Sequence, residues 1–190
     1  MLAQAISRAH ILGINRQRTV ENLPMFESEI CKRTWWCVFV LDRRITLESG
    51  RPHLIHEHNI DVEDPLNLSA EFLEAYCQDP RTAAQLRGEI RAELDCHPAT
   101  PVDYLIATAS FSRIAGDVWK VLYVPKPPSW SSLEVMDSCL ELQIKKAEGG
   151  LPPYLVHKEG VPFEEQYRNM KWWQIKQSLL LYIVSVAQTS

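Results

Sequence analysis

The chain has 190 residues, 46% hydrophobic and 23% charged, with a formal net charge of −4, enough for one domain with a sizeable core and too apolar for wholesale disorder. Basic residues are scattered and outnumbered, which argues against a nucleic-acid surface. The longest apolar run, 178–187, falls short of the roughly 18 residues that span a bilayer, so no membrane partner is expected.

In chain order, Leu2 to Gly13 reads as an amphipathic helix with Leu2, Ile6, Ala9 and Leu12 on one side and Gly13 as its stop. Asn15 to Asn22 is polar and expected to be exposed. After Pro24 comes the segment around which the chain is organised. Cys31, Trp35, Val38 and Ile45 share one helical face, Trp36, Phe39 and Val40 add a second, and Ser49-Gly50 followed by Pro52 stops the helix. An irregular acidic loop, Glu57 to Asp64, closes on Pro65. Ser69 caps a helix to about Tyr76, and Arg81 to Leu94 carries a narrow stripe of Leu86, Ile90 and Leu94. Thr100-Pro101 starts a helix to about Val124, ended by Pro125, Pro127 and Pro128. Ser131 to Glu134 matches a capping box, with Leu133, Met136, Leu140, Ile144 and Ala147 following until Gly149-Gly150. Phe163 opens a last helix with Trp172, Ile175, Leu179, Tyr182 and Val186 on one face. Strand alternation and internal repeats are lacking, and the expected fold is an all-α, bundle-like domain spanning residues 1–190.

Arg33, the Trp35-Trp36 pair, Phe39, Leu41-Asp42-Arg43, the Gly50-Arg51-Pro52 turn and the Ile60-Asp61-Val62 loop together resemble the fungal-specific transcription factor domain, the middle homology region of zinc binuclear cluster activators. Ala5 to Arg16 resembles the lead-in helix of that family, and Leu151 to Leu155 its Leu-Pro loop. The resemblance implies a nuclear protein that modulates transcription through a helical scaffold, with an inner cavity in which a metabolite effector binds. It also implies a homodimer or co-regulator as partner. Zinc and DNA contact belong, in the family, to a cysteine cluster. The five cysteines here (31, 37, 77, 96 and 139) include no C-x-x-C pair, so DNA is a partner only through a module outside these residues, and no cofactor or metal is expected within them. The cysteines are instead read as free, buried thiols. The apolar helix just before Ser190 implies a partial domain, with that face covered by self-association or by further helices.

Three clusters carry candidate chemistry. His53, His56 and His58, with Glu57 and Asp61 nearby, are ligand-like in type, yet their spacing fits no metal-ligand pattern, and exposed loop histidines are the expectation. Asp42 with Arg43 and Arg51 reads either as a catalytic acid with its partners or, preferably, as a structural ion pair tying the helix to its following turn. The tryptophans read as core or pocket lining rather than a stacking platform for bases. No phosphate loop, nucleophile elbow or metalloprotease motif occurs, so no catalytic residue is assigned. The alternative function is a stand-alone helical scaffold whose pocket binds or converts a small molecule without DNA.

Overall fold

The computed structural model describes residues 1–96, 99–122, 129–156, 160–162, 165 and 170–171, which form seven α-helices and no strand. The chain divides into two compact units, Met1–Pro128 and Ser129–Ser190. In the first unit, α1 (Leu2–Leu12), α2 (Gln17–Val20) and α6 (Pro101–Leu122) pack on the long α3 (Met25–Ser49). Two short helices, α4 (Ala70–Ala75) and α5 (Arg87–Asp95), form a second apolar cluster, in which Leu68, Leu73, Leu86 and Ile90 bury with Met25 of α3.

Helix α3 runs 25 residues between two well-defined ends. Pro24 precedes it, and the first-turn amide of Met25, which has no partner inside the helix, donates to the Arg81 carbonyl at 2.9 Å. Gly50 takes the left-handed conformation (φ 65°) that a residue with a Cβ adopts only under strain, and donates to Thr46 O. Its buried face departs from the expected apolar stripe. Ile45 is 46% exposed, whereas Glu29, Lys32, Asp42, Arg43 and Thr46 are buried beside Trp35, Trp36 and Phe39. The apolar period misplaces the face because charged residues with partners on the following loop occupy it.

Gly13 stops α1 in the left-handed conformation, as expected, but Leu12 is exposed and Ile14 buried in its place. In the segment after it Arg16, Arg18, Thr19, Glu21 and Asn22 are exposed as expected, and two residues depart from that. Asn15 is 3% exposed and Val20 fully buried. The Asn15 carbonyl accepts from the Asp61 and Val62 amides at 3.2 and 3.3 Å, and its side chain donates to Asn59 O at 2.8 Å. A buried asparagine whose backbone carbonyl and side-chain N–H both find partners is stable inside.

Ser69 caps α4 by accepting from the Phe72 amide at 3.1 Å. Helix α5 starts at Arg87, later than its apolar stripe suggests, because residues from Thr82 to Leu86 form a turn with Gln85 N on Thr82 O. Helix α6 starts where Thr100-Pro101 predicts, with the Thr100 hydroxyl accepting from the Val102 amide. The thiols are free, but only Cys31 is half-buried and the other four are exposed.

In the second unit, α7 (Trp130–Gly149) is capped by Ser129, which accepts from the Ser132 amide at 3.3 Å, not by Ser131 as expected. Ser129 stands three residues before an amide that lacks a helical partner, the reach a serine cap requires. The predicted stripe of Leu133, Met136, Leu140, Ile144 and Ala147 is the half-buried face of α7. Leu155 of the Leu-Pro loop is buried. The expected terminator Pro125-Pro127-Pro128, the helix opening at Phe163 and its stripe from Trp172 to Val186 lie outside the described residues.

Candidate functional site

The buried charges of α3 fall into two groups that hold two parts of one loop. Toward the N-terminal half, Glu29 Oε2 accepts from the Leu66 amide at 2.9 Å, and Lys32 lies 3.5 Å from Glu29 Oε1 and 3.7 Å from Glu63. Arg33 donates to the carbonyls of Leu66 and Leu68 at 3.4 and 3.1 Å, and the Trp36 indole donates to Glu63 O at 3.0 Å. Burial raises the Glu29 carboxyl above its usual value, with Lys32 acting against it. Trp36 also carries the Arg113 guanidinium on its ring at 4.3 Å, and Arg113 meets Asp64 at 2.8 Å. Trp35 is fully buried, with the His10 imidazole edge-on to it at 5.4 Å.

Asp61 works at the other side of the loop. It accepts from the Gln17 amide at 2.8 Å and so satisfies the first turn of α2 from 44 residues away, with Arg16 at 3.9 Å. The Leu12-Gly13-x-x-Arg16 exit and the Ile60-Asp61-Val62 loop, separate motifs in the sequence, therefore meet.

The second group sits about two turns before the end of α3. Asp42 and Arg43 are buried and paired at 3.0 Å. Asp42 also accepts from the amides of Leu54 and Ile55 at 3.2 and 3.1 Å, closing the Gly50-Arg51-Pro52 turn onto the helix. Arg43 donates to Ile55 O at 3.1 Å and Glu57 at 3.0 Å, and lies over the Phe39 ring at 4.4 Å. Such a pair holds only when both partners keep their bonds, because removing one strands the other in low dielectric. Arg51 is exposed and joins no ion pair among the described residues, so the link to the turn runs through backbone amides.

Helix α6 closes over this group at Gly116. A Cβ there would stand 2.9 Å from Arg43 Nε and 3.0 Å from Glu57 Oε1, so glycine permits the approach. One turn on, Lys120 meets Asp117 at 2.7 Å and Glu57 at 3.4 Å. Glu57 thereby joins the loop to both α3 and α6.

A cleft of about 490 Å³ opens above the pair. Arg43 and Glu57 contribute from one group, Pro52 and Ile55 from the turn, and Trp119 and Lys120 from α6. Three imidazoles complete it. His53 departs from the expected exposed loop histidine: it is half-buried with its ring 4.8 Å from that of Trp119, and burial, then the nearby Arg43, lowers its pKa. His56 and His58 are exposed and stack 5.5 Å apart. A smaller hollow of about 220 Å³ lies between Trp36, Phe39, Ile60, Asp61 and Arg113, sharing Glu57 with the cleft.

Of the residues singled out in the sequence, the structure brings Arg43, Pro52 and the three histidines to the cleft, and sets Asp42 directly beneath. Arg33, Trp35 and Trp36 hold the loop and core, Gly50 ends α3, and Asp61 docks α2. Sequence reasoning missed Glu29 and Lys32, the bridging role of Glu57, and the α6 residues Gly116, Trp119 and Lys120. A glycine inside an otherwise regular helix pointed to a close approach at 116; Trp119 and Lys120 carried no such signal.

The model of the fungal specific transcription factor domain family matches residues 1–145. Pyrimidine pathway regulatory protein 1 of Saccharomyces cerevisiae is 30% identical over 116 residues, covering 60% of this chain and 12% of that protein. The pyrrolocin cluster transcription factor fsdR of a fungal species is 27% identical over 157 residues, 82% of this chain and 18% of the relative. Transcription factor asqA of Emericella nidulans is 38% identical over 56 residues, 30% of this chain and 10% of the relative. The chain thus spans less than a fifth of the length of each. No solved structure matches it. By the match over residues 1–145, the chain belongs to the fungal specific transcription factor domain family.

Proposed function

We propose that the chain is a regulatory and interaction domain that modulates DNA-templated transcription in the nucleus, without catalysis of its own. The match of residues 1–145 to the family carries this reading. DNA contact, and any zinc, is assigned to a cluster module outside these residues, with a homodimer or co-regulator as protein partner. The cleft over Arg43 and Glu57 adds the place where a small-molecule effector acts. Such a ligand shifts the protein's state only by binding one arrangement better than another.

The test is transcriptional. The chain fused to a heterologous DNA-binding domain is expected to change reporter output relative to that domain alone, and Arg43→Ala to abolish the change. Unaltered output from the fusion overturns the reading. The unfused chain is expected to bind duplex DNA weakly and without sequence preference; a specific site bound with Kd on the order of 10⁻⁸ M contradicts that assignment.

A further inference from the structure

We propose that the cleft takes up an organic anion with a flat aromatic body, its carboxylate meeting Lys120 and its ring occupying the space beside Trp119. The proposal rests on the effector reading and names the ligand's chemistry. Two cations line the cleft, Arg43 and Lys120, together with Glu57 and three imidazoles. Asp42 and Asp117 stand against those cations from just outside the lining.

The cations are not equivalent. Arg43 is held by Asp42 and Glu57 at 3.0 Å each, so its terminal nitrogens are already taken. Lys120 is exposed, and its ammonium offers three donors. Asp117 takes one at 2.7 Å, while Glu57 stands at 3.4 Å, the weak end of hydrogen bonding. An incoming carboxylate displaces Glu57 from that long contact at little cost, because Glu57 keeps its shorter bond to Arg43. His53 is held toward the neutral form and serves as a dipole, not a rival charge. Size and walls set the rest of the ligand. About 490 Å³ lies in the range of drug-sized ligands and exceeds a bare inorganic anion, and Pro52, Ile55 and Trp119 supply apolar surface.

The purified 190-residue chain is titrated by calorimetry with 2-naphthoate and with neutral 2-naphthamide, which has nearly the same shape. The acid is expected to bind about tenfold more tightly than the amide, as a charge-assisted hydrogen bond implies. Lys120→Met is expected to erase that ratio by weakening naphthoate far more than the amide. Glu57→Gln keeps an acceptor for Arg43 but removes the competing charge, and is expected to tighten naphthoate alone. If Glu57→Gln fails to fold, the exposed Lys120→Met variant decides the matter. Equal affinity for acid and amide, absence of binding by both, or a naphthoate affinity indifferent to Lys120→Met each overturns the proposal. The reporter assay is independent of these titrations. A chain that binds naphthoate but leaves transcription unchanged loses the regulatory reading and keeps the cleft chemistry.

Discussion

The two charged groups on α3 differ in how completely they are satisfied. Around Asp42 and Arg43, both carboxylate oxygens and both terminal guanidinium nitrogens are bonded. Around Glu29, one oxygen has the Leu66 amide and the other only the Lys32 ammonium at 3.5 Å, too far for a hydrogen bond of good geometry. The first arrangement bonds every carboxylate oxygen and terminal guanidinium nitrogen and leaves only Arg43 Nε without a hydrogen bond. The second is half open, and its carboxyl is already biased toward neutrality. Burying charge on a helix is therefore not one device here but two, one tied down by many short bonds and one held by few.

Removing one cation from each group separates the two most directly. Arg43→Ala leaves Asp42 buried without its partner and should destabilise by about 3–5 kcal/mol in urea titrations. Lys32→Met should cost less, about 1–3 kcal/mol, because burial already biases the Glu29 carboxyl toward its neutral form. Equal losses for the two variants would show that the groups are alike.

Gly116→Ala sharpens the closed side alone. The new methyl crowds Arg43 and Glu57, an overpacking cost of about 1–3 kcal/mol offset by up to about 1 kcal/mol of helix propensity. Gly88→Ala in α5, where nothing lies within 4 Å, should instead stabilise by about 0.5–1 kcal/mol. Thermal melts of the two variants should move in opposite directions.

The smallest effect is a pH slope. The folded-state value of Glu29 lies above its ordinary 4.5, so the folded protein holds this proton more tightly than the unfolded chain. Its favourable contribution is complete below pH 4.5 and fades as pH rises through the folded value. Glu29→Gln should flatten that decline, while Asp42→Asn should leave it in place. A parent stability that climbs through this range with a slope unchanged by Glu29→Gln would refute the raised carboxyl.

How much of this was legible in the sequence varies with the kind of residue on the buried face. In α7 the half-buried stripe is apolar, and the 3.6-residue period marks it residue by residue. In α3 the same rule points to Ile45, which is exposed, and passes over Lys32, Asp42 and Arg43. Periodicity registers hydrophobicity, and a charge is buried only when a distant partner awaits it. Glu29 and Leu66 are 37 positions apart, and Asp42 meets amides 12 and 13 residues on. The family motif supplied Arg33, Asp42 and Asp61 without saying what each would touch. The cleft was half visible, as a cluster of histidines whose other wall lies on α6, beyond any local pattern.

The docking of Asp61 on the Gln17 amide bears on the stability of α2. Four residues cannot nucleate a helix unaided, since the first turn costs more conformational freedom than its hydrogen bond returns. Helix α2 thus draws part of its support from a loop 44 positions away. Exchange of the Gln17 amide proton with solvent is expected to report excursions of the loop that carries Glu57.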